Sequence, residues 1–441
     1  MRLLLIDPVT TARTLSVESR RKLRQGIGYP GLGLFTVAAL TSRDIEVKVI
    51  DESVEAIDEN FQPDLVGISV QAPTAPYAYR LAQRYQQRGV TVVLGGIHVS
   101  LNPEEAATHA DAIVVGEAEL TWPQLVSDFR RGELRREYRA ERLADLDASP
   151  IPRRDLMRPD DYQIPYVVQA SKGCPFGCEF CSLHAYVGAQ PRFRRVDRVV
   201  EEIESLDTGV VLFADDNIYS KKRYAEQLFR ALAPLKKRWV AEATWHIAFD
   251  DEVLALARQS GCEGLFIGFD SVNRPAYVPK APSRGSVEEI YVEATRRIVD
   301  RGMAVVAAFV FGFDEDDTSV FRRAVEIVNK GGASLVNFSA LVPYPGTPVY
   351  ERFKAEGRIT ETDWAKYISP NVCFEPRGMT AAELYEGTLW AQQQAFSLAN
   401  ITKRGLLTAS RLGWGTGLLA LKLNLAQRSN WGEGSPSGEA A

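Results

Sequence analysis

The sequence predicts an α/β protein built on two parallel sheets, with a small, mainly helical region after them. Three observations carry this. Short Val-, Ile- and Leu-rich runs alternate with helical patterns in the first 140 residues, and the alternation resumes near residue 166. A proline-bearing stretch with little periodicity, Asp147-Ala148-Ser149-Pro150-Ile151-Pro152-Arg153-Arg154-Asp155, separates the two arrays. The chain then loses β character and reads as helix near its C-terminus.

In the first array, strands are expected at 3–6, 45–50, 65–70, 90–94 and 112–115, with helical patterns near 32–40, 75–87 and 103–109. Continuous apolar strands between helices imply a parallel sheet covered on both faces. Such sheets bind ligands at the carboxyl ends of their strands. Those ends carry Asp51-Glu52-Ser53, Ser69-Val70-Gln71-Ala72-Pro73, Gly95-Gly96-Ile97-His98 and Gly116-Glu117. Turn chemistry explains any one of them alone; together at one rim they favour a ligand site. Residues 141–165 read as a linker. In the second array strands are expected at 166–170, 210–213, 239–243, 264–268, 304–311 and 335–341, with helical patterns at 196–205, 222–233, 251–260, 287–300 and 318–329. Helices continue over 349–428, one opening on the capping-box pattern Thr380-Ala381-Ala382-Glu383. Residues 429–441, rich in Gly, Ser, Pro and Glu, read as a disordered tail.

At 441 residues, two or three domains are expected. A net charge of −5 argues against nucleic acid as the main partner, because phosphate binding needs a basic face. The apolar start is closed by Asp7 and is too short for a signal segment. No run of about 18 uninterrupted apolar residues predicts a membrane span. Five cysteines, three of them clustered, fit a reducing cytoplasm.

The clustered cysteines lie in Ser171-Lys172-Gly173-Cys174-Pro175-Phe176-Gly177-Cys178-Glu179-Phe180-Cys181, a C-x3-C-x2-C run. Three thiolates this close can hold three corners of a cubane iron–sulfur cluster and leave the fourth iron open to a substrate. Cys178 and Cys181 with His184 offer a zinc alternative. A disulfide framework is disfavoured by the odd number and the absence of secretory context.

This spacing, with Phe180 before the last cysteine, resembles the radical S-adenosylmethionine (SAM) superfamily. The resemblance implies a 4Fe–4S cluster on Cys174, Cys178 and Cys181 whose open iron chelates SAM and cleaves it to a 5′-deoxyadenosyl radical. It also implies that the second array is a partial (β/α)6 barrel over 166–348, its cysteine loop following the first strand at the active face. The SAM candidates are Phe180, Asp215, Asp216, Asp270, Ser271, Val310 and Gly312. Asp270-Ser271 stands where the family has G-x-E-S, and Asp215-Asp216 also reads as a helix N-cap cluster. Cys262 reads as a core hydrophobe. Cys373 is either the same or a lone thiol for hydrogen donation or methyl transfer.

The first array resembles the cobalamin-binding Rossmann-like domain found at the N-terminus of many radical SAM enzymes. The matching segments are Tyr29-Pro30-Gly31-Leu32-Gly33-Leu34, Val66-Gly67-Ile68-Ser69, Gly95-Gly96-Ile97-His98 and Val115-Gly116-Glu117-Ala118-Glu119. The domain is expected over 1–140, with cobalamin candidates Asp51, Ser69, Gln71, Gly95, Gly96, His98, Gly116 and Glu117. The D-x-H-x-x-G motif that supplies a histidine to cobalt is missing, since Asp51 is followed by Glu52 and Ser53. The C-terminal region resembles that of a subgroup acting on hopanoid-type lipids and related products. Its stretch 404–423 is apolar and mildly basic, suited to a membrane surface or to docking on the barrel.

The implied function is a cobalamin-dependent methyltransferase acting on an unactivated carbon of a small, apolar or lipid-like molecule, with flavodoxin or ferredoxin as electron donor. The rivals are a radical SAM cyclase, coupling or rearrangement enzyme with a degenerate cobalamin domain, and a non-catalytic corrinoid or iron–sulfur binding protein.

Overall fold

The computed structural model describes residues 1–9, 16–273 and 285–432. The chain forms two compact units, residues 1–207 with 342–368, and residues 208–341 with 369 onward.

The first unit contains a six-stranded parallel sheet of β1 (Arg2–Asp7), β2 (Glu46–Asp51), β3 (Leu65–Ser69), β4 (Thr91–Gly95), β5 (Ala112–Val115) and β6 (Glu137–Arg139), in the order β2-β1-β3-β4-β5-β6. The order reverses direction between β1 and β3, which opens a crevice at their carboxyl ends. Its helices are α1 (Val17–Ile27), α2 (Gly33–Leu40), α3 (Ala75–Gln87), α4 (Ile97–Leu101), α5 (Pro103–Ala106) and α6 (Ala118–Arg131). Both faces of the sheet are buried, as the continuous apolar strands require. Leu4, Ile6, Ile68 and Leu94 pack on one side with Ala78, Leu81 and Tyr85 of α3. Leu3, Leu5, Leu65 and Val93 pack on the other with Phe35 of α2 and Trp122 and Leu125 of α6. Sequence periodicity does not reveal α1, α6 or the edge strand β6: α1 is crowded with charge, α6 carries Pro123 inside it, and β6 is only three residues long.

The linker includes two short 3-10 turns, Arg154–Leu156 and Pro159–Asp161. It is anchored within the same unit where Arg154 pairs with the buried Glu202. Beyond it come β7 (Val167–Val168), β8 (Ser171–Lys172), α7 (Ser182–Val187), β9 (Arg192–Phe193) and α8 (Val196–Glu204).

The second unit repeats strand and helix: β10 (Val210–Phe213), α9 (Lys222–Leu232), β11 (Arg238–Thr244), α10 (Asp251–Gln259), β12 (Cys262–Asp270), α11 (Val287–Asp300), β13 (Ala304–Phe311), α12 (Ser319–Gly331) and β14 (Leu335–Ala340). Within it these strands pair in parallel and in sequence order, β14-β13-β12-β11-β10, the arrangement of an opened barrel. One face is a packed core. Trp239 stacks on Phe229 with centroids 5.1 Å apart and donates its indole N–H to Ser260 O at 3.1 Å; truncating a tryptophan in such a core costs about 3–5 kcal/mol. The α13 helix (Pro348–Ala355) belongs to the first unit, whereas α14 (Ala381–Ala395), α15 (Leu398–Leu412) and α16 (Trp414–Gly432) complete the second. The expected capping box is present: Thr380 Oγ1 accepts Glu383 N–H at 3.1 Å, and Glu383 Oε2 accepts Thr380 N–H at 2.8 Å. Helix α16 runs through Gly432 and takes in the first residues of the stretch read as a tail, while 433–441 lie outside the described residues.

Candidate functional site

The cysteine run sits on a loop of the first unit whose two legs are β8 and β9, paired antiparallel with Lys172 opposite Arg192. Gly173 closes the legs. Its φ of +93° suits glycine alone, and a Cβ there would stand 3.2 Å from Gln190 O. Both legs are tied to the Rossmann-like sheet by one carboxylate. Arg192 Nη2 lies 2.6 Å from Glu117 Oε1 and Nη1 lies 2.8 Å from Oε2, while Lys172 Nζ reaches Oε1 at 2.7 Å. Ala144 N–H adds a bond of 2.7 Å. Burial alone would raise the Glu117 carboxyl, but the Arg192 and Lys172 cations hold it down to about 2.

The far end of the loop has its own anchor within the unit. Glu179 O accepts Val349 N–H at 3.0 Å at the start of α13, and its carboxylate meets Arg352 at 3.0 Å. Cys181 is the N-cap residue of α7, and its N–H bonds Cys178 O at 3.1 Å, so the last two cysteines share one turn. All three loop thiols are half-buried. Among the described residues no three His, Cys, Asp or Glu side chains gather as the shell of a single ion. A cubane instead takes each thiolate on its own iron, and three thiols on an anchored loop fit that donor chemistry.

At the rim of the first unit, the candidates divide into groups committed to the fold and groups open to a ligand. Asp51, expected to face a corrinoid, is used internally: Oδ1 accepts Ser53 N–H at 2.7 Å and Oδ2 accepts the Tyr162 hydroxyl at 2.8 Å. The neighbouring Asp7 carboxyl is pushed up to about 7 by burial and by Asp51. Glu117, expected at the same rim, is the loop anchor just described. His98 is likewise not at the rim. It is 2% exposed, with its ring edge on Trp364 at a centroid distance of 5.4 Å and Nε2 3.9 Å from Glu105 Oε1, because the first turn of α4 directs it inward.

Gly96 and Gly116 have fold roles. A Cβ at Gly96 (φ +98°) would fall 2.7 Å from Val70 N, and one at Gly116 (φ +86°) 3.2 Å from Ala140 Cβ. Ser100, invisible as a site residue in the sequence, links these strand ends by donating to Gly96 O and accepting Gly116 N–H, both at 3.0 Å. Gly95, the half-buried Ser69 and the exposed Gln71 remain on the rim. Gly33 is not held by packing. Nothing lies within 4 Å of where its Cβ would be, and a Cβ at Gly31 would meet only Asp7 Oδ2 at 3.7 Å. Packing among the described residues does not demand these glycines.

In the second unit, burial alternates along the strands instead of running continuously. Leu265, Ile267 and Phe269 of β12 are buried, whereas Phe266, Gly268 and Asp270 are half-buried. Val305, Ala307, Phe309 and Phe311 of β13 are buried, whereas Val306, Ala308 and Val310 are not. A parallel sheet with one open face is what a barrel interior requires. That face carries Asp270 and Val310, two of the SAM candidates, beside the small residues Gly268 and Ala308, which are register partners. It also carries Glu242 of β11, which the sequence reading missed as a lone charge in a strand. Desolvation and the Asp216 carboxylate push Glu242 up to about 7.

Asp270 has φ +57°, unusual for a residue with a side chain, at a register irregularity between β12 and β13. Tyr291 holds this turn, its hydroxyl lying 2.8 Å from Phe269 O and 3.1 Å from Ser271 O. Desolvation raises the Asp270 carboxyl to about 6. Ser271 is buried and accepts Asn273 N–H at 3.1 Å. Asp215 is buried beyond β10, and Asp216 is half-buried beside it. Neither caps the next helix, since α9 starts from Lys221 without a side-chain cap. Gly312, one of the SAM candidates, is glycine for a packing reason: with φ +107°, its Cβ position is filled by Leu384 Cδ2 at 2.5 Å and Phe374 at 3.3 Å. Phe180 is half-buried on the cysteine loop of the first unit.

The model of the B12 binding domain matches residues 28–126, and that of the Radical SAM superfamily matches residues 168–339. The chain is 31% identical over 396 residues, 87% of its length and 86% of the relative's, to the bacteriochlorophyllide d C-12(1)-methyltransferase of Chlorobaculum tepidum. It is 28% identical over 362 residues, covering 77% of this chain and 79% of the other, to the bacteriochlorophyllide d C-8(2)-methyltransferase of the same organism. Among solved structures it resembles the radical SAM methyltransferase TsrM of Kitasatospora setae, determined with cobalamin and a 4Fe–4S cluster, with a TM-score of 0.65 at 15% identity over 98% of this chain and 100% of that one. That likeness is one of fold.

Proposed function

This chain belongs to the cobalamin-binding radical SAM family of enzymes, and from that membership we propose that it is a methyltransferase transferring a methyl group to an unactivated carbon of a small apolar molecule. The observation that carries the reading is the near-full-length likeness to a bacteriochlorophyllide methyltransferase. The anchored three-thiol loop, and the absence of packing against a Cβ at Gly33, support it. The family's cofactors are a 4Fe–4S cluster, SAM and cobalamin. When bound, they supply homolytic hydrogen abstraction and the methyl group, which a carbon without acidity needs.

The chain's own residues have definable tasks. Cys174, Cys178 and Cys181 would hold the cluster, and Glu117 with Arg192 and Lys172 keeps their loop in place. Asp270 would accept hydrogen bonds from SAM, and Val310, beside the small residues Gly268 and Ala308 on the same open face, would contact it. Asp215 and Asp216 are the further SAM candidates of the second unit, and Phe180 is the candidate on the cysteine loop of the first. Ser69, Gln71, Gly95, Gly31 and Gly33 line the corrinoid side. A reduced flavodoxin or ferredoxin in the cytoplasm supplies electrons. For substrate we favour a planar tetrapyrrole, because the relatives act on bacteriochlorophyllide d.

The test is anaerobic reconstitution with iron, sulfide and hydroxocobalamin, followed by turnover with SAM, reductant and a chlorin substrate. Methyl transfer yields S-adenosylhomocysteine together with 5′-deoxyadenosine and a product heavier by one CH2. 5′-Deoxyadenosine alone, with no corrinoid retained, would replace this reading with a non-methylating radical reaction.

A further inference from the structure

The C-terminal hairpin is built inside out. On α16 the side facing the unit carries Gly417, Ala420 and Asn424, all buried. Large apolar side chains point the other way: Trp414 is 72% exposed and Leu418 62%, with Leu425 continuing the stripe at i, i+4 and i+11. On α15, Leu398 and Leu406 are exposed at 59% and 57%. A helix resting on a protein and facing water shows the reverse pattern. Single exposed leucines need no explanation, but a set of this size on one hairpin does.

The hairpin is not loosely placed. Its inner face is fixed to the second unit by Asn424 Nδ2 donating to Ser334 O at 3.0 Å, Thr408 meeting Ser334 Oγ at 3.3 Å, and the Arg411–Asp300 ion pair at 3.3 Å. The helices approach so closely that a Cβ at Gly417 would stand 2.4 Å from Ala409 Cβ. The apolar face is therefore a preformed platform. Its charge has one sign. From Leu398 to Arg428 there is no Asp or Glu, although the whole chain carries a net charge of −5. Lys403, Lys422 and Arg428 are all exposed on this hairpin. Two such hairpins face to face would bring like charges together, whereas anionic headgroups complement them. Leucines that enter the acyl boundary, a tryptophan at headgroup level and a basic fringe are the physical requirements of an interfacial anchor. No helix among the described residues is long and apolar enough to cross a membrane.

We propose that the α15–α16 hairpin docks the protein on an anionic membrane surface, with Leu406, Trp414, Leu418 and Leu425 entering the interface. The proposal is independent of the reaction assigned above.

Flotation of the full-length reconstituted protein with vesicles tests it. Phosphatidylcholine mixed with phosphatidylglycerol should carry at least about tenfold more protein than phosphatidylcholine alone, and high salt should reverse much of the difference by screening. The L418E/L425E double variant should lose flotation, and K403E/K422E should lose the preference for anionic vesicles. All four positions are exposed, so unchanged melting curves are expected. Tryptophan emission provides a second readout: anionic vesicles should cause a blue shift in the wild type that is missing in Trp414→Phe. No flotation with either vesicle, or no such shift, overturns the proposal. So does a concentration-dependent dimer in sedimentation velocity that L418E/L425E abolishes, which would make a second copy the occupant.

Discussion

Arg192 grips both carboxylate oxygens of Glu117, at 2.6 and 2.8 Å, and so fastens one leg of the cysteine loop to the end of strand β5. Lys172 on the other leg meets the same carboxylate at 2.7 Å. The three residues are far apart in sequence, but they make the loop an extension of the Rossmann-like sheet.

Replacing Glu117 by Gln leaves two half-buried cations without their buried counter-charge. Loss of one partner of such a group costs about 3 kcal/mol, and the melting temperature should fall accordingly. The pH dependence follows from the depressed carboxyl. With the native value near 2 against an ordinary 4.5, the stabilisation is fully present above pH 4.5 and lost as pH falls toward 2. The wild type should show this slope in acid unfolding and Glu117→Gln should not. Iron retained per chain should also drop, because the loop is released.

Substituting Cys174, Cys178 or Cys181 with Ser should reduce iron to background and 5′-deoxyadenosine formation by more than about a hundredfold, because a cubane site loses one of its three protein ligands. Cys262 and Cys373 are buried thiols in the second unit. Their Ala variants should keep full iron, and the visible cluster absorbance after reconstitution distinguishes the two groups.

Two glycines of the Rossmann-like domain should respond in opposite ways. Gly96→Ala places a Cβ 2.7 Å from Val70 N in a left-handed conformation, which should cost about 1–3 kcal/mol of stability. Gly33→Leu meets no atom within 4 Å at its Cβ and should leave the melting curve nearly unchanged. Corrinoid retention should nevertheless fall at least about fivefold, because the side chain occupies the space left for the ligand. Equal corrinoid content in wild type and Gly33→Leu would remove Gly33 from the site.

Asp270→Asn should weaken SAM binding about tenfold, the scale of a charge-assisted hydrogen bond, as read by calorimetry. Its pH signature has the opposite sign to that of Glu117. A carboxyl raised to about 6 from an ordinary 3.8 makes the native state hold a proton that the unfolded chain has released. Stability therefore declines as pH rises from about 4 to 6. The Asn variant removes that decline and should melt higher than the wild type at pH 7.

The strand and helix alternation, the C-x3-C-x2-C run and the strand-end turns were legible in the sequence because each depends on short-range pattern. Elements with weak periodicity escaped it: α1, full of arginine and lysine, and α6, interrupted by Pro123. Glu242 escaped because one carboxylate within a strand looks like a surface residue until its neighbours show which face is open. Arg192, Lys172 and Ser100 escaped because a positioning residue has no motif; its partner lies elsewhere in the chain.

The amino-acid order by itself determined the fold class, the clustering of three thiols on one loop and the glycine-rich turns at the strand ends, since hydrophobic period, cysteine spacing and turn residues are local properties. The tertiary structure decided which candidates are free for chemistry. It placed Asp51 on Tyr162, Glu117 on Arg192, His98 against Trp364 and Leu384 over Gly312, while leaving space at Gly33. Hydrogen bonds, ion pairs and packing between distant segments make that distinction. A buried polar group takes whichever partner the fold brings within reach, and only the folded chain determines which partner that is.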